Sequence, residues 1–264
     1  MEENRNNNQN QNEEYEAYES WGTIENTVNI GSAARPAYSA MGSGFQTTAF
    51  GDTIADRKYL LTIIGCLTWG FFVNYLMCIT LGKSLVNSAN PSFLYLMIPL
   101  QLASIFMNMF SKTAVMKFIA YNLLVFPLGI EIAYIVSLMN AIGATDAVYI
   151  ALLGTCIIGG VMFGLAFMFP DSFLSLGKTL LYATLAAVLA DIVVAIFAPS
   201  AYSTIDIAFV LLFALWLGFD ISRAMRQQKS TVNAITAAYD VYYDLAYILI
   251  RLLIIMARNS GRRN

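Results

Sequence analysis

The sequence predicts an all-α membrane protein, a bundle of six or seven helices with the C-terminal helix at its centre. Three observations carry that prediction. Of 264 residues, 58% are apolar and only 12% charged, roughly half the charge density of a soluble domain. The apolar residues fall in blocks of about 20, the length a helix needs to cross the hydrocarbon core of a bilayer. Finally, the acids and bases of the last block all fall on one narrow stripe.

Seven blocks qualify, at 59–82, 92–110, 116–138, 147–169, 178–198, 205–225 and 235–256. The breaks between them have local causes: Asn90-Pro91, Ser111 to Thr113, Gly143 to Asp146, Pro170-Asp171, Pro199-Ser200 and the polar run from Arg226 to Asn233. Gly160 and Gly164 form a pair of small residues four apart, which predicts close packing of the fourth helix on a neighbour. Pro127 and Gly129 predict a kink in the third. No internal repeat is evident.

Residues 1–58 have a different composition. Asn, Gln and Glu dominate the first 20, and Gly, Ser and Thr follow. Such a segment buries too little apolar surface to offset its ordering entropy, so it is expected to be a disordered tail. It lacks a basic start followed by an apolar core, so it does not read as a secretory signal. A short basic tail, 259–264, is expected after the last helix.

Positive charge near the spans sorts by side. With the tail in the cytoplasm, Arg57, Lys58, Lys112, Lys117, Lys178, Arg223, Arg226 and Lys229 fall inside, and Lys83 is the exception among the first six spans. That asymmetry predicts a cytoplasmic N-terminus, with a bacterial plasma membrane as the expected location. Arg258, Arg262 and Arg263 fit only if the last helix enters and returns, so whether it crosses is left open.

The chain contains no histidine, which excludes zinc-protease, Ser-His and Cys-His catalysis. Cys66, Cys78 and Cys156 all lie in apolar blocks, an odd count that predicts neither a disulfide framework nor a zinc site. No enzyme activity, cofactor or nucleic-acid partner is expected.

The last block supplies the candidate site. At about 100° per residue, Asp240, Asp244, Tyr247, Arg251 and Arg258 lie within about 60° of one another. A helix facing lipid on one side only would show a broader polar arc. So thin a stripe predicts that the other six helices surround this one, with its charges lining an internal seam. Asp220 lies ~9 Å before the presumed end of the sixth helix, and Asp244 lies ~16 Å into the seventh. A short loop therefore brings these acids to similar depth. Two carboxylates in a poorly hydrated place cannot both ionise cheaply, so they compete for one proton or share a cation.

Five other residues are candidate pore or latch groups: Asp240, Arg251, Glu131, Asp191 and Lys112. Arg251 lies one or two turns from Asp244, near enough to pair with it and hold helices together. Glu131 and Asp191 are mid-span acids, each a pore ligand or a partner for Lys117 or Arg251. Asp240 is either part of the pair's surroundings or an interfacial, solvated acid. Asn74, Gln101, Asn108, Asn122 and Asn140 are expected to bond between helices, and Trp69 and Trp216 to act as packing or interface anchors.

These residues resemble a known family. Asp240-Val241-Tyr242-Tyr243-Asp244-Leu245, running on to Arg251-Leu252-Leu253, is similar to the "LYLDFINLFLxLLR" ending of the Bax inhibitor-like membrane proteins. Gly218-Phe219-Asp220-Ile221-Ser222-Arg223 looks like that family's "YDTQ" element. The 24-residue interval from Asp220 to Asp244 equals the family's spacing between paired aspartates. The likeness covers 59–258, with its specific motifs in the last 45 or so residues.

The resemblance implies a C-terminal helix wrapped by six others and a pH-sensitive calcium leak. Asp220 and Asp244 would be proton sensor and cation gate, holding calcium transiently. The chain departs from the family at Ile221-Ser222 in place of Thr-Gln, and at Ile254, with Arg251 three residues before the expected arginine. The basic residue that locks an aspartate in some bacterial members has its nearest match at Ser111, beside Lys112.

Three other readings compete: a proton-coupled secondary transporter using Glu131, Asp191, Asp220 and Asp244 as a relay, an intramembrane aspartyl protease, and a regulatory membrane protein that conducts nothing. The protease lacks its Gly-x-Gly-Asp, since Leu217-Gly218-Phe219-Asp220 has one glycine.

Overall fold

The computed structural model describes residues 53–88, 96–197 and 202–261. The disordered tail expected over 1–58 lies outside them up to residue 52, as do the breaks at Asn90-Pro91 and Pro199-Ser200. Among the described residues the chain forms nine helices: α1 (Asp56–Thr80), α2 (Gly82–Ser88), α3 (Met97–Phe110), α4 (Ala114–Ala141), α5 (Thr145–Met168), α6 (Pro170–Ser175), α7 (Gly177–Phe197), α8 (Tyr202–Arg226) and α9 (Thr231–Gly261). The seven longer ones follow the seven apolar blocks. The two short helices, α2 and α6, were not expected; α6 starts on Pro170, whose fixed φ suits a first helical position.

Local chemistry sets several boundaries. Thr113 caps α4 by accepting from the amide of Met116 at 3.4 Å. That helix ends where Gly143 adopts φ 75°, a conformation only glycine takes without strain. α4 runs unbroken through Pro127. Ser230 caps α9, accepting from the amide of Asn233 at 3.2 Å. Contrary to the expected tail at 259–264, α9 continues through Gly261.

Five helices, α1, α4, α5, α7 and α8, are long and apolar enough to cross a membrane. They present a girdle of exposed Leu, Ile, Val and Phe, including Leu153, Phe163, Leu185 and Ile196. α9 is the opposite: beyond Thr231, no residue up to Arg258 is exposed. Its 31 residues extend about 46 Å without turning back, which removes the enter-and-return alternative.

α9 occupies the centre, but four helices rather than six lie directly against it: α8, α1, α4 and α5. α3 packs outside α4, and α7 outside α8. α3 meets α9 through Ser104 and Gln101, which bond to Tyr239 and Tyr247, and α7 meets it through Asp191 beside Arg251. The close approach expected at Gly160 and Gly164 does not occur, since nothing lies within 4 Å of a Cβ at either position. The glycines of α5 that face α9 are instead Gly154 and Gly159, where a Cβ would sit 3.2 Å from Leu252 and 3.1 Å from Leu245. Small-residue spacing identified the helix but not which of its faces turns inward.

One end of the bundle gathers much of the basic charge. The amide of Ile54 donates to the carbonyl of Lys229 at 2.9 Å, Lys229 pairs with Asp56 at 2.8 Å, and Arg226 pairs with Asp171 at 2.9 Å. The start of α1, the start of α6 and the α8–α9 loop therefore share that end. This is what six passes from α1 to α8 require when α3 is counted as one.

Candidate functional site

The site lies where α8 and α9, joined by a four-residue loop, run antiparallel near the basic end. Asp220 projects from α8, and Asp240 and Asp244 from α9; all three carboxyl groups are buried. The Asp244 and Asp220 carboxyl groups lie within hydrogen-bonding reach of each other. A hydrogen bond between them needs one proton on the pair. The sequence placed these acids at one depth, and the structure brings them together.

The base that serves this cluster is Arg223, not Arg251. Arg223 Nη2 lies 2.9 Å from Asp220 Oδ1, and it donates to Asp240 Oδ2. It thus ties α8 to α9 across the seam. Its contact with Asp220 is an ion pair without hydrogen-bond alignment, which leaves Asp220 Oδ1 and Asp244 Oδ2 buried with no hydrogen-bond partner. Lys117, buried on α4, lies within electrostatic reach of Asp240 while its Nζ donates to the carbonyl of Asn108. Asp240, allowed for as a solvated interfacial acid, is instead a buried member of the cluster. The cluster thus holds three acids and one directly paired base. Buried carboxyl groups this close cannot all ionise cheaply, and among the described residues no group of three or more acids is arranged to hold a metal ion.

Hydrogen bonds tie the start of α1 to the end of α8 beside the cluster. The Tyr59 hydroxyl on α1 donates to the carbonyl of Ala224 at 3.0 Å and accepts from Gln227 Nε2 at 2.7 Å. Gln227 also reaches the carbonyl of Asn233 at 3.2 Å. Lys112, a candidate latch, is exposed in the α3–α4 connection. The lysine near the cluster is Lys117, one turn into α4.

Arg251 belongs to a second cluster at the opposite end of the seam. Its Nη1 donates to Asp206 Oδ1 at 2.7 Å, and Arg258 Nη1 donates to Asp206 Oδ2. Asp206 is fully enclosed. Asp191 Oδ2 lies 3.6 Å from Arg251, which also stacks 4.2 Å over the Phe209 ring. Asp191 therefore has the Arg251 partner foreseen for it, while Glu131 pairs with neither Lys117 nor Arg251. Gln101 Nε2 donates to Glu131 Oε1 at 2.6 Å.

The single stripe on α9 thus serves two ion clusters. The reason is α8, whose acids lie at both ends of a helix running the other way, so each charge on α9 finds a partner at its own depth. Between the clusters the seam is apolar: Leu217 and Ile248 are buried, and Phe213 stacks on Tyr247 at 4.9 Å.

Arg223 and Asp206 were missed as site residues, although the sequence carried a signal for both. Arg223 follows Asp220 by three residues, which places them on one helix face. Asp206 precedes Asp220 by 14 residues, a rotation within about 40° of whole turns.

The interhelical amide bonds form as expected at Asn74, which bonds with the Tyr242 hydroxyl at 2.8 Å, and at Asn122, which accepts from Trp69 Nε1 at 2.9 Å. Trp216 Nε1 donates to Thr184 at 2.8 Å.

The comparisons with known proteins bear on the same stretch of chain. The family model described as "Inhibitor of apoptosis-promoting Bax1" matches residues 37–261. No curated protein matches.

Proposed function

The chain belongs to the Bax inhibitor-like family of integral membrane proteins, and from that premise we propose that it is a pH-sensitive calcium leak rather than an enzyme. One observation carries the reading: the Asp220 and Asp244 carboxyl groups lie within hydrogen-bonding reach of each other in a buried seam, with Arg223 holding Asp220 and Asp240. With a proton on the pair, the two acids sit together and α8 stays closed on α9. Without it, adjacent like charges in a low-dielectric place repel strongly, and the seam either parts or takes in a cation. Calcium suits two adjacent carboxylates because it is a hard ion that prefers carboxylate oxygens. A few ligands rather than a full cage of six to eight favour passage over storage. No resident cofactor takes part. The bilayer, calcium and protons are the partners.

The orientation belongs to the same proposal. The basic end, with the acid cluster beneath it, faces the cytoplasm of a bacterial cell, in keeping with the excess of Lys and Arg there. The Tyr59–Gln227 hydrogen bonds then close the cytoplasmic mouth, and the Arg251–Asp206–Arg258 cluster faces outward.

The test is calcium flux through purified protein in vesicles at pH 6 and pH 8. Wild-type flux should differ between the two, and Asp220→Asn and Asp244→Asn should each change that difference. Identical profiles in all three proteins would refute the sensor role. Coupled calcium uptake against a gradient would move the assignment to a transporter.

A further inference from the structure

Glu131 is the mid-span acid that the α8–α9 seam does not account for. It projects from α4, 14 residues beyond Lys117, about 21 Å further along the helix axis. Its contacts form an ordered run across three helices. Gln101 on α3 donates its amide to Glu131 Oε1 at 2.6 Å, and the Tyr247 hydroxyl on α9 donates to Gln101 Oε1 at 2.8 Å. The Tyr243 and Tyr247 rings lie 4.6 Å apart. Gln101 and Tyr247 both donate in the direction of Glu131, the arrangement an acceptor-only carboxylate demands.

The charged and titratable groups around Glu131 are few. Tyr247 faces it from α9, and Arg251, a turn further on, is committed to Asp206 and Asp191. α3 offers the neutral Gln101. α1 brings Asn74 and Met77 against Gly129, and α2 brings Gly82 against Ser137. Among the described residues, no lysine or arginine pairs with Glu131. An acid inside a membrane span without a base is a place for a proton, because no other positive charge is at hand.

We propose that Glu131 is a second proton-binding site, distinct from the Asp220–Asp244 pair, and that Gln101 converts its charge state into a change of hydrogen-bond direction at Tyr247 on α9. Protonation turns a Glu131 oxygen from acceptor into donor. When the proton sits on Oε1, the oxygen that the Gln101 amide now serves, the resulting donor–donor contact is lost if the amide of Gln101 turns over, presenting its oxygen to Glu131 and its NH2 to Tyr247. The Tyr247 hydroxyl then accepts where it had donated. Tyr247 stacks on Phe213 of α8 and its ring packs against that of Tyr243, the residue beside Asp244. A proton at Glu131 therefore acts on the same α8–α9 seam from within the membrane. No bond other than the carboxyl O–H forms, and no proton passes through the amide.

The functional part rests on the leak reading; the proton site itself does not. The test is an infrared pH titration of the full chain in lipid vesicles, with calcium flux followed separately. Glu131→Gln should lose one protonated-carboxyl band that Asp244→Asn keeps. Glu131→Asp, the conservative variant, should restore a band and guards against a folding artefact. Gln101→Leu should move the titration of that band by about one pH unit. It should also abolish a tyrosine ring signal that Tyr247→Phe abolishes as well. An unchanged carboxyl spectrum in Glu131→Gln would overturn the second site. A band that titrates identically in Gln101→Leu would overturn the coupling. If flux ignores Asp220 and Asp244 while these infrared results hold, the leak reading fails and the Glu131 site stands.

Discussion

Replacing Arg223 with leucine removes the one base directly paired within a buried cluster of three acids. The side chains of Arg223, Asp220 and Asp240 are 15%, 9% and 7% exposed, so water cannot take over the lost contact. Removing one partner of a buried ion pair costs roughly 3–5 kcal/mol. Lys117 remains within reach of Asp240, and Asp220 keeps Asp244 within hydrogen-bonding reach, so the expected loss is about 3 kcal/mol at pH 8. For a chain of this size that lowers Tm by roughly 6–12 °C. Lower pH favours protons on acids left without a base and so removes uncompensated charge, and the loss at pH 5 should be smaller than at pH 8. Thermal unfolding of purified protein, read by a thiol dye at the buried Cys66, measures both values. Arg223→Lys should fall between, since it keeps the charge without the fork. An equal Tm loss at both pH values would show that Arg223 acts through packing, and the electrostatic account of the cluster would fail.

Other outcomes follow from the same contacts. Asp206→Asn should cost about 2–3 kcal/mol, because Arg251 keeps only Asp191 and Phe209, while Arg258 is partly solvated; adding Arg251→Gln should recover part of the loss in a double-mutant cycle. Gly129→Ala should cost roughly 1–3 kcal/mol in an unfolding titration, since its Cβ would meet Met77 Sδ at 2.6 Å and Asn74 Oδ1 at 2.8 Å. Gly160→Ala, with nothing within 4 Å, should match or exceed wild-type stability, and a cost like that of Gly129→Ala would contradict the inward face assigned to α5. Tyr59→Phe should remove about 1–2 kcal/mol of hydrogen bonding at the α1–α8 contact and speed modification of a cysteine placed at position 224, whereas an unchanged rate would mean that Tyr59 seals nothing.

Much of the fold was legible because membrane helices announce themselves one at a time. A block of about 20 apolar residues is a helix whatever surrounds it, since lipid offers the backbone no hydrogen bonds. Asp220 and Asp244 were legible as a pair for a related reason: a short loop between adjacent spans fixes the relative depth of their residues. The stripe on α9 foretold its burial. The stripe could not tell that its two halves serve different clusters, because depth along α9 acquires meaning only once α8 lies beside it. Gly160 and Gly164 misled for the same reason, spacing being a property of one helix and facing a property of two.

The sequence by itself determined that this chain is a helical membrane protein, where its apolar helices run, and that charges on the last helix face protein. Those outcomes are local, set by how each segment partitions between water and lipid. Only the tertiary structure decided that Arg223 is the base of the acid cluster, that Arg251 belongs to Asp206, and that Glu131 answers to Gln101. A charge in a low-dielectric interior pairs with whatever the packing brings within about 4 Å. That distance is settled by the assembled helices together.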